Sequence, residues 1–142
     1  MIRRLDSVFV LHTPNTTYAF KVLSSGHLEH LYYGEKIEIE SEKEAEVLVE
    51  KRACLSGNAV CYNPEQSTLC LEDIRLEMSS GGKGDVREPF IEVTHADGSY
   101  TSDFLFEKAE IKKARIFTSE PFCFEKNFIS VLHNIGEVDD LA

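Results

Sequence analysis

An all-β fold, an antiparallel β-sandwich with one short helix, is what this sequence predicts, and three observations carry the prediction. Short segments rich in Val, Ile, Phe and Tyr recur along the chain, the best of them alternating apolar and polar residues as a half-buried strand requires. Clusters of Gly, Asn, Asp, Ser and Pro separate them, at Thr13-Pro14-Asn15, Ser24-Ser25-Gly26 and Ala96-Asp97-Gly98-Ser99. The period shifts to that of a helix once, after Ser41.

Taken in order, Ser7–His12 reads as a strand rich in Val, Phe and Leu that the Thr13-Pro14-Asn15 turn ends. Thr17–Leu23 follows, with Tyr18, Phe20 and Val22 on one face. Past Ser24-Ser25-Gly26 comes Leu28–Tyr33, where Leu31 and Tyr33 oppose Leu28, His30 and Tyr32. Apolar bulk on both faces predicts a strand covered on both sides. Lys36–Glu40 reads as a short strand. Ser41-Glu42-Lys43-Glu44 then has the form of a capping box, Ser41 as N-cap and Glu44 three residues on. Ala45, Val47 and Leu48 follow, and Lys51-Arg52 close a helix expected to run to about Arg52, although Val47-Leu48-Val49 would also suit a strand.

Ala53–Ser67 is a long loop, and long loops on β scaffolds often serve ligands or partner subunits. Leu69–Leu71 and Ile74–Met78 carry the chain as extended runs into a glycine-rich turn. Pro89–His95, the turn at Ala96-Asp97-Gly98-Ser99 and Tyr100–Glu107 then read as a hairpin, and Ala109–Phe117 as a further strand. From Ser119 the alternation loosens. Phe122, Phe124, Phe128, Ile129, Val131 and Leu132 need burial but take no evident place in a sheet. The expected organisation is a sandwich portion over residues 1–118 and a C-terminal segment of the same, truncated domain over 119–142.

Composition narrows the function. A chain of 142 residues makes about one domain, and a formal net charge of -10 excludes a nucleic-acid partner, since phosphate binding needs a basic face. Its apolar runs fall far short of the ~20 residues that span a bilayer, so no membrane partner is expected. Met1-Ile2-Arg3-Arg4-Leu5-Asp6 leads into no apolar core or small-residue cleavage site, which predicts a cytoplasmic protein. Cys54, Cys61, Cys70 and Cys123 contain no Cys-x-x-Cys pair, so free thiols are expected in place of a zinc site. His27 and His30 would share one face of a helix, but on a strand their spacing sends them to opposite faces. No metal and no cofactor is predicted.

The most specific stretch runs from Leu76 to Pro89. Gly81, Gly82 and Gly84 describe a tight, unusual turn, and Pro89 pushes Glu88 towards an extended conformation. Asp85 and Arg87, two apart, fall on one side of an extended chain. Two uses fit them: an ion pair that holds the turn, or a pair presented to a polar ligand such as a sugar. Ion pairs beside turns are common and individually weak, which favours the first.

Gly82-Lys83-Gly84-Asp85-Val86-Arg87-Glu88-Pro89 also resembles the Gly-x-Gly-Asp-x-Arg-x-Pro signature in the amino-terminal β domain of bacterial α-galactosidases of glycoside hydrolase family 36. Upstream, Asn15-Thr16-Thr17-Tyr18-Ala19-Phe20-Lys21-Val22 leads into Gly26-His27-Leu28-Glu29-His30-Leu31-Tyr32-Tyr33-Gly34; downstream, Asp97-Gly98-Ser99 precedes Ser102-Asp103-Phe104. The resemblance covers roughly Ser7 to Ile111. One departure is Gly81, which stands where the family usually carries an aromatic ring.

The resemblance implies an incomplete supersandwich of the galactose-mutarotase-like kind, the first part of an enzyme that continues into a (β/α)₈ barrel and a small β domain. Such enzymes hydrolyse terminal α-galactosides such as melibiose and raffinose with retention, using two aspartates on barrel loops. No segment here matches the barrel, so no catalytic residue is assigned: Asp85, Asp97 and Asp103 lie in the wrong domain, and this chain alone is predicted inactive. The implied role is a non-catalytic scaffold that also supports oligomerisation. Its implied partners are the barrel of the same polypeptide, neighbouring subunits of a homo-oligomer such as a tetramer, and α-galactoside through the full enzyme.

In some tetrameric members an amino-terminal loop touches a neighbour's substrate. Arg52–Ser67 does not align with that loop residue by residue, so no ligand residue is named from it; the candidate substrate-binding residues, for that interface or for the substrate entrance, are Asp85 and Arg87, on the ground of their place in the glycine turn. The alternative is a free-standing carbohydrate-binding or structural β-sandwich. Sugar-binding sandwiches usually present a row of exposed aromatics, but this chain has no tryptophan, and Tyr32, Tyr33, Tyr62 and Tyr100 are scattered.

Overall fold

The computed structural model describes residues 1–49, 60–117 and 123–135, from residue 112 onward as backbone. Four strands, β1 (Ile2–Leu5), β2 (Val8–His12), β3 (Thr16–Val22) and β4 (Leu28–Glu35), form an antiparallel meander in chain order. The sequence left β1 unmarked because its four residues do not alternate. It pairs with β2 from Ile2↔Leu11 to Leu5↔Val8, through a turn in which Asp6 takes φ 52°.

Apolar side chains leave this sheet on both faces, as expected. On one face Val8, Val10, Ala19 and Leu31 pack with Ile39 and Ala45. On the other, Phe9, Phe20 and Leu28 pack against Phe106 and Ala109 of β5 (Phe104–Phe117). Phe9 joins the two layers, stacked on Phe20 at 4.9 Å between centroids and tilted against Phe106 at 6.1 Å. A register shift between Ala19 and Phe20 corrects the expected facing of β4: Ala19 pairs with Tyr32 and Phe20 with His30, leaving Leu31 as the extra residue. Tyr32 therefore packs with the Leu31 cluster, while Tyr33 turns to the Tyr18 side and stays 71% exposed.

Lys36–Glu40 is not a strand. The buried Thr17 hydroxyl donates to the Ile37 carbonyl at 3.0 Å and accepts from the Ile37 N–H at 3.1 Å, so a side chain takes the place of a ladder partner. The N-cap half of the capping box forms, with Ser41 Oγ accepting from the Glu44 N–H, while the Glu44 carboxylate reaches one residue past the N-cap and accepts from the Glu40 N–H at 2.9 Å. Helix α1 is only Glu42–Ala45, tightens to a 3₁₀ turn at Glu46–Leu48, and ends where Val49 becomes extended. Val47 points into solvent, so no apolar stripe carries the helix on towards Arg52, which lies outside the described residues.

The runs flanking the glycine turn are also not strands. Pro64–Gln66 and Leu71–Asp73 are 3₁₀ turns, and Arg75–Glu77 touches β4 by a single bridge, Leu76 to Glu29. Of the expected hairpin only the turn is present, His95 N–H to Ser99 carbonyl at 2.9 Å with Gly98 at φ 87°. Phe90 N–H bonds Ser79 instead of a facing arm. The expected strands Tyr100–Glu107 and Ala109–Phe117 merge into β5, which absorbs Glu107 at a register shift. β6 (Cys123–Ile135) pairs along all of β5, and gives Phe124, Phe128, Ile129, Val131 and Leu132 the place in a sheet that their irregular alternation hid. The architecture is an antiparallel sandwich with one short helix.

Removing the side chain that spans both layers has a definite cost. Phe9→Ala should lose about 3–5 kcal/mol in urea unfolding. Val47→Ala, at an exposed position, should stay within about 0.5 kcal/mol.

Candidate functional site

The corner over residues 79–89 is built from backbone that only glycine adopts easily. Gly82, Lys83 and Gly84 take φ 92°, 55° and 80° in succession, and the turn closes from the Asp85 N–H to the Gly82 carbonyl at 3.2 Å. A Cβ on Gly82 would lie 2.6 Å from Thr101 Cγ2, and one on Gly84 3.0 Å from the Val60 carbonyl. Gly81 has no such constraint, because a Cβ there would meet only the Tyr100 carbonyl at 3.5 Å. The departure from the family's aromatic ring thus falls on the one glycine of the three that the backbone does not require.

Asp85 and Arg87 meet as the spacing predicts. Arg87 Nε donates to Asp85 Oδ1 and Nη2 to Oδ2, both at 2.8 Å, and the Arg87 N–H adds a third bond to Oδ1. The guanidinium then reaches on: Nη1 donates to the Ile74 carbonyl at 2.6 Å and Nη2 to the Leu71 carbonyl at 2.8 Å. The fork thereby ties the corner to the 3₁₀ turn at Leu71–Asp73. Burial pushes the Asp85 carboxyl up, but the hydrogen bonds from Arg87 outweigh it and hold the carboxyl below the usual aspartate range.

A second polar cluster sits beside the corner. Asp103 accepts from His27 Nε2 at 2.9 Å and from the Tyr62 hydroxyl at 2.5 Å, while Ser25 Oγ pairs with His27 Nδ1 at 2.9 Å. Tyr62 lies edge-on to the His27 ring, and the Lys83 ammonium stands 5.9 Å from the centroid of the Tyr62 ring. Three distant segments, the β3–β4 turn, the loop at Tyr62 and the start of β5, are joined there. Burial acts to raise the Asp103 carboxyl, and its bonds from His27 and Tyr62 bring it below the ordinary value. The Tyr62 hydroxyl is pushed up by burial and by Asp103.

Sequence reasoning met His27 and Asp103 separately, one as a rejected metal ligand and the other as an acid in the wrong domain. Their contact spans 76 positions and left no local signal. His30 points elsewhere, to Glu77 at 2.7 Å. Among the described residues no cluster of His, Cys, Asp and Glu could hold a metal ion.

The three aspartates set aside in the sequence each accept hydrogen bonds. Asp85 is clamped, Asp103 is held on both oxygens, and Asp97 accepts the Ser99 N–H within its own turn at 2.8 Å. Ser25, His27 and Asp103 form a line, but His27 is buried and out of reach of a substrate. The Asp85 and Asp103 clusters fasten distant chain segments together.

Fold and corner together define a β-sandwich domain stapled by buried polar contacts. The sequence model described as "Glycosyl hydrolase family 36 N-terminal domain" matches residues 26–128, and the chain belongs to that family. The bifunctional α-galactosidase/sucrose kinase AgaSK of Mediterraneibacter gnavus is 33% identical over 108 residues, which are 76% of this chain and 11% of that protein. Among solved structures, the α-galactosidase of Lactobacillus brevis superposes with a TM-score of 0.75 at 22% identity, over 94% of this chain and 19% of that one. The α-galactosidase AgaA of Geobacillus stearothermophilus, in a variant bound to raffinose, has a TM-score of 0.73 at 19% identity, over 90% of this chain and 18% of that one. The chain therefore spans between a tenth and a fifth of the length of these relatives.

Two predictions follow from this geometry. Gly82→Ala and Gly84→Ala should each lose about 1–3 kcal/mol from forced positive φ alone. Gly81→Ala should be neutral or stabilise by up to about 1 kcal/mol, as read by urea midpoints. On acidification, Asp85 and Asp103 release their contribution as the pH falls through folded values that lie below the unfolded one. Stability should thus hold from pH 7 to about 5 and drop below about pH 4, with a shallower drop in Asp85→Asn.

Proposed function

We propose that this chain is the amino-terminal scaffold of an α-galactosidase, cytoplasmic in location, in which a separate barrel hydrolyses terminal α-galactosides such as melibiose and raffinose. The family match over residues 26–128 carries the reading. The engaged state of Asp85, Asp97 and Asp103 supports its non-catalytic part. In this reading the domain positions and shields the barrel and contributes to contacts between subunits. Of the two uses open to Asp85 and Arg87, we take the structural one: the carboxylate side chain is fully buried, and the guanidinium spends its fork on Asp85 and two carbonyls.

In the full-length enzyme, Asp85→Ala should lower the melting temperature or the oligomer content while the folded fraction keeps its kcat on raffinose. Unchanged melting and assembly with lost turnover would assign the pair to substrate instead. The 142-residue chain alone should release no galactose from raffinose or melibiose, and any release would overturn the scaffold reading.

A further inference from the structure

Cys61 and Cys70 stand at the two ends of a small closed loop, and both are reduced in this structure. The Tyr62 N–H donates to the Leu69 carbonyl at 2.8 Å and the Leu69 N–H to the Gln66 carbonyl at 2.9 Å. Asn63 Oδ1 caps the 3₁₀ turn Pro64–Gln66 by accepting from the Gln66 N–H at 2.7 Å. The chain thereby doubles back, and the Cys61–Tyr62 and Leu69–Cys70 peptide units face each other across one hydrogen bond.

That bond limits how far apart the two cysteines can be. Both peptide units are trans, so the Cys61 Cα lies on the N–H side of one unit and the Cys70 Cα on the carbonyl side of the other. With standard bond lengths the two Cα atoms are then about 4–6.5 Å apart, however the planes are rotated about the bond. A disulfide needs Cα atoms about 4.4–6.8 Å apart. In an antiparallel return the residues just outside such a rung stand opposite each other, with side chains on one side. Cys70 has the extended backbone this requires, at φ -120° and ψ 112°.

We propose that Cys61 and Cys70 are a reversible dithiol–disulfide pair, oxidised by a low-molecular-weight disulfide such as oxidised glutathione, and that the bridge locks this loop. Cys61 is partly exposed and Cys70 buried, so Cys61 is the attacking thiol and Cys70 the resolving one. The Cys61 thiolate breaks the glutathione disulfide and forms a mixed disulfide, releasing one glutathione thiolate. The Cys70 thiolate then attacks the Cys61 sulfur and releases the second. Two protein thiols are oxidised, one disulfide is reduced to two glutathione thiols, and the two protons pass to these. The neighbours give the bridge its consequence. Tyr62, next to Cys61, bonds Asp103 at 2.5 Å, and the carbonyl of Leu71, next to Cys70, accepts from Arg87 at 2.8 Å. A bridge would join the Asp103 cluster to the Arg87 clamp covalently. In a reducing compartment the dithiol is the resting form and the disulfide the response to oxidation.

Incubating the folded full-length protein with oxidised glutathione, blocking the remaining thiols and mapping disulfides by mass spectrometry tests this. Trypsin with a protease that cuts after glutamate separates the two cysteines at Glu65. The fragments carrying Cys61 and Cys70 should be joined, equally so in Cys54→Ser, parted by dithiothreitol, and never joined in Cys61→Ser. In the oxidised protein, amide hydrogen exchange over residues 62–69 should slow several-fold, with β3 unchanged. Cys61 held only as a mixed disulfide with glutathione, or joined to Cys54 or Cys123, would overturn the proposal. So would a bridge that forms only in urea, or one that leaves exchange in the loop as it was.

Discussion

One guanidinium helps to hold the irregular segment over residues 79–102 in place. Residues 79–102 have no ladder partners to speak of, so their conformation has to be set by side chains and by the backbone rules of glycine. Arg87 supplies the side-chain half: it grips Asp85 on both oxygens and the Leu71 and Ile74 carbonyls beyond, crossing from the corner to a segment thirteen to sixteen positions earlier. Gly82 and Gly84 supply the other half, at angles and spacings that a side chain would violate. A planar, five-donor fork can do this, whereas a lysine concentrates its three donors on one nitrogen and cannot grip both carboxylate oxygens side by side while reaching two carbonyls beyond.

The two sheets depend on different physics. β3 was legible from its alternation, β2 and the first half of β4 from their runs of apolar residues, while the four residues of β1 do not alternate and left it unmarked. Where the reading failed, the reasons are local and identifiable. Leu31 is an added residue that reverses the facing of Tyr32 and Tyr33, and a period-two reading has no means to see it. Lys36–Glu40 looks like a strand because it carries Ile37 and Ile39, yet the Ile37 N–H and carbonyl bond the Thr17 hydroxyl instead of a ladder partner. The strand β6 was hidden because the apolar residues in its sequence shift from even positions, Phe124 and Phe128, to odd ones, Ile129 and Val131, so no single period-two pattern runs through it.

The site was half legible. Asp85 and Arg87 could be paired from spacing alone because both lie on one short extended run. The His27–Asp103–Tyr62 cluster could not, since its members are brought together only by the fold, and Asp103 sits just ahead of β5 with no motif to announce it. Both clusters lead to the same functional consequence. A buried carboxylate that already accepts two or more hydrogen bonds is a poor nucleophile and a poor general acid, so its contribution is to specify geometry. The two clusters thereby fix where segments distant in the chain meet.

A double-mutant cycle on Asp85 and Arg87, each replaced by alanine alone and together, measures the interaction on which this account rests. It predicts a coupling energy of about 1–3 kcal/mol in unfolding, with the double variant costing less than the sum of the singles. A coupling near zero would contradict it, because the corner would then be held by its glycines alone and Arg87 would be free for some other purpose.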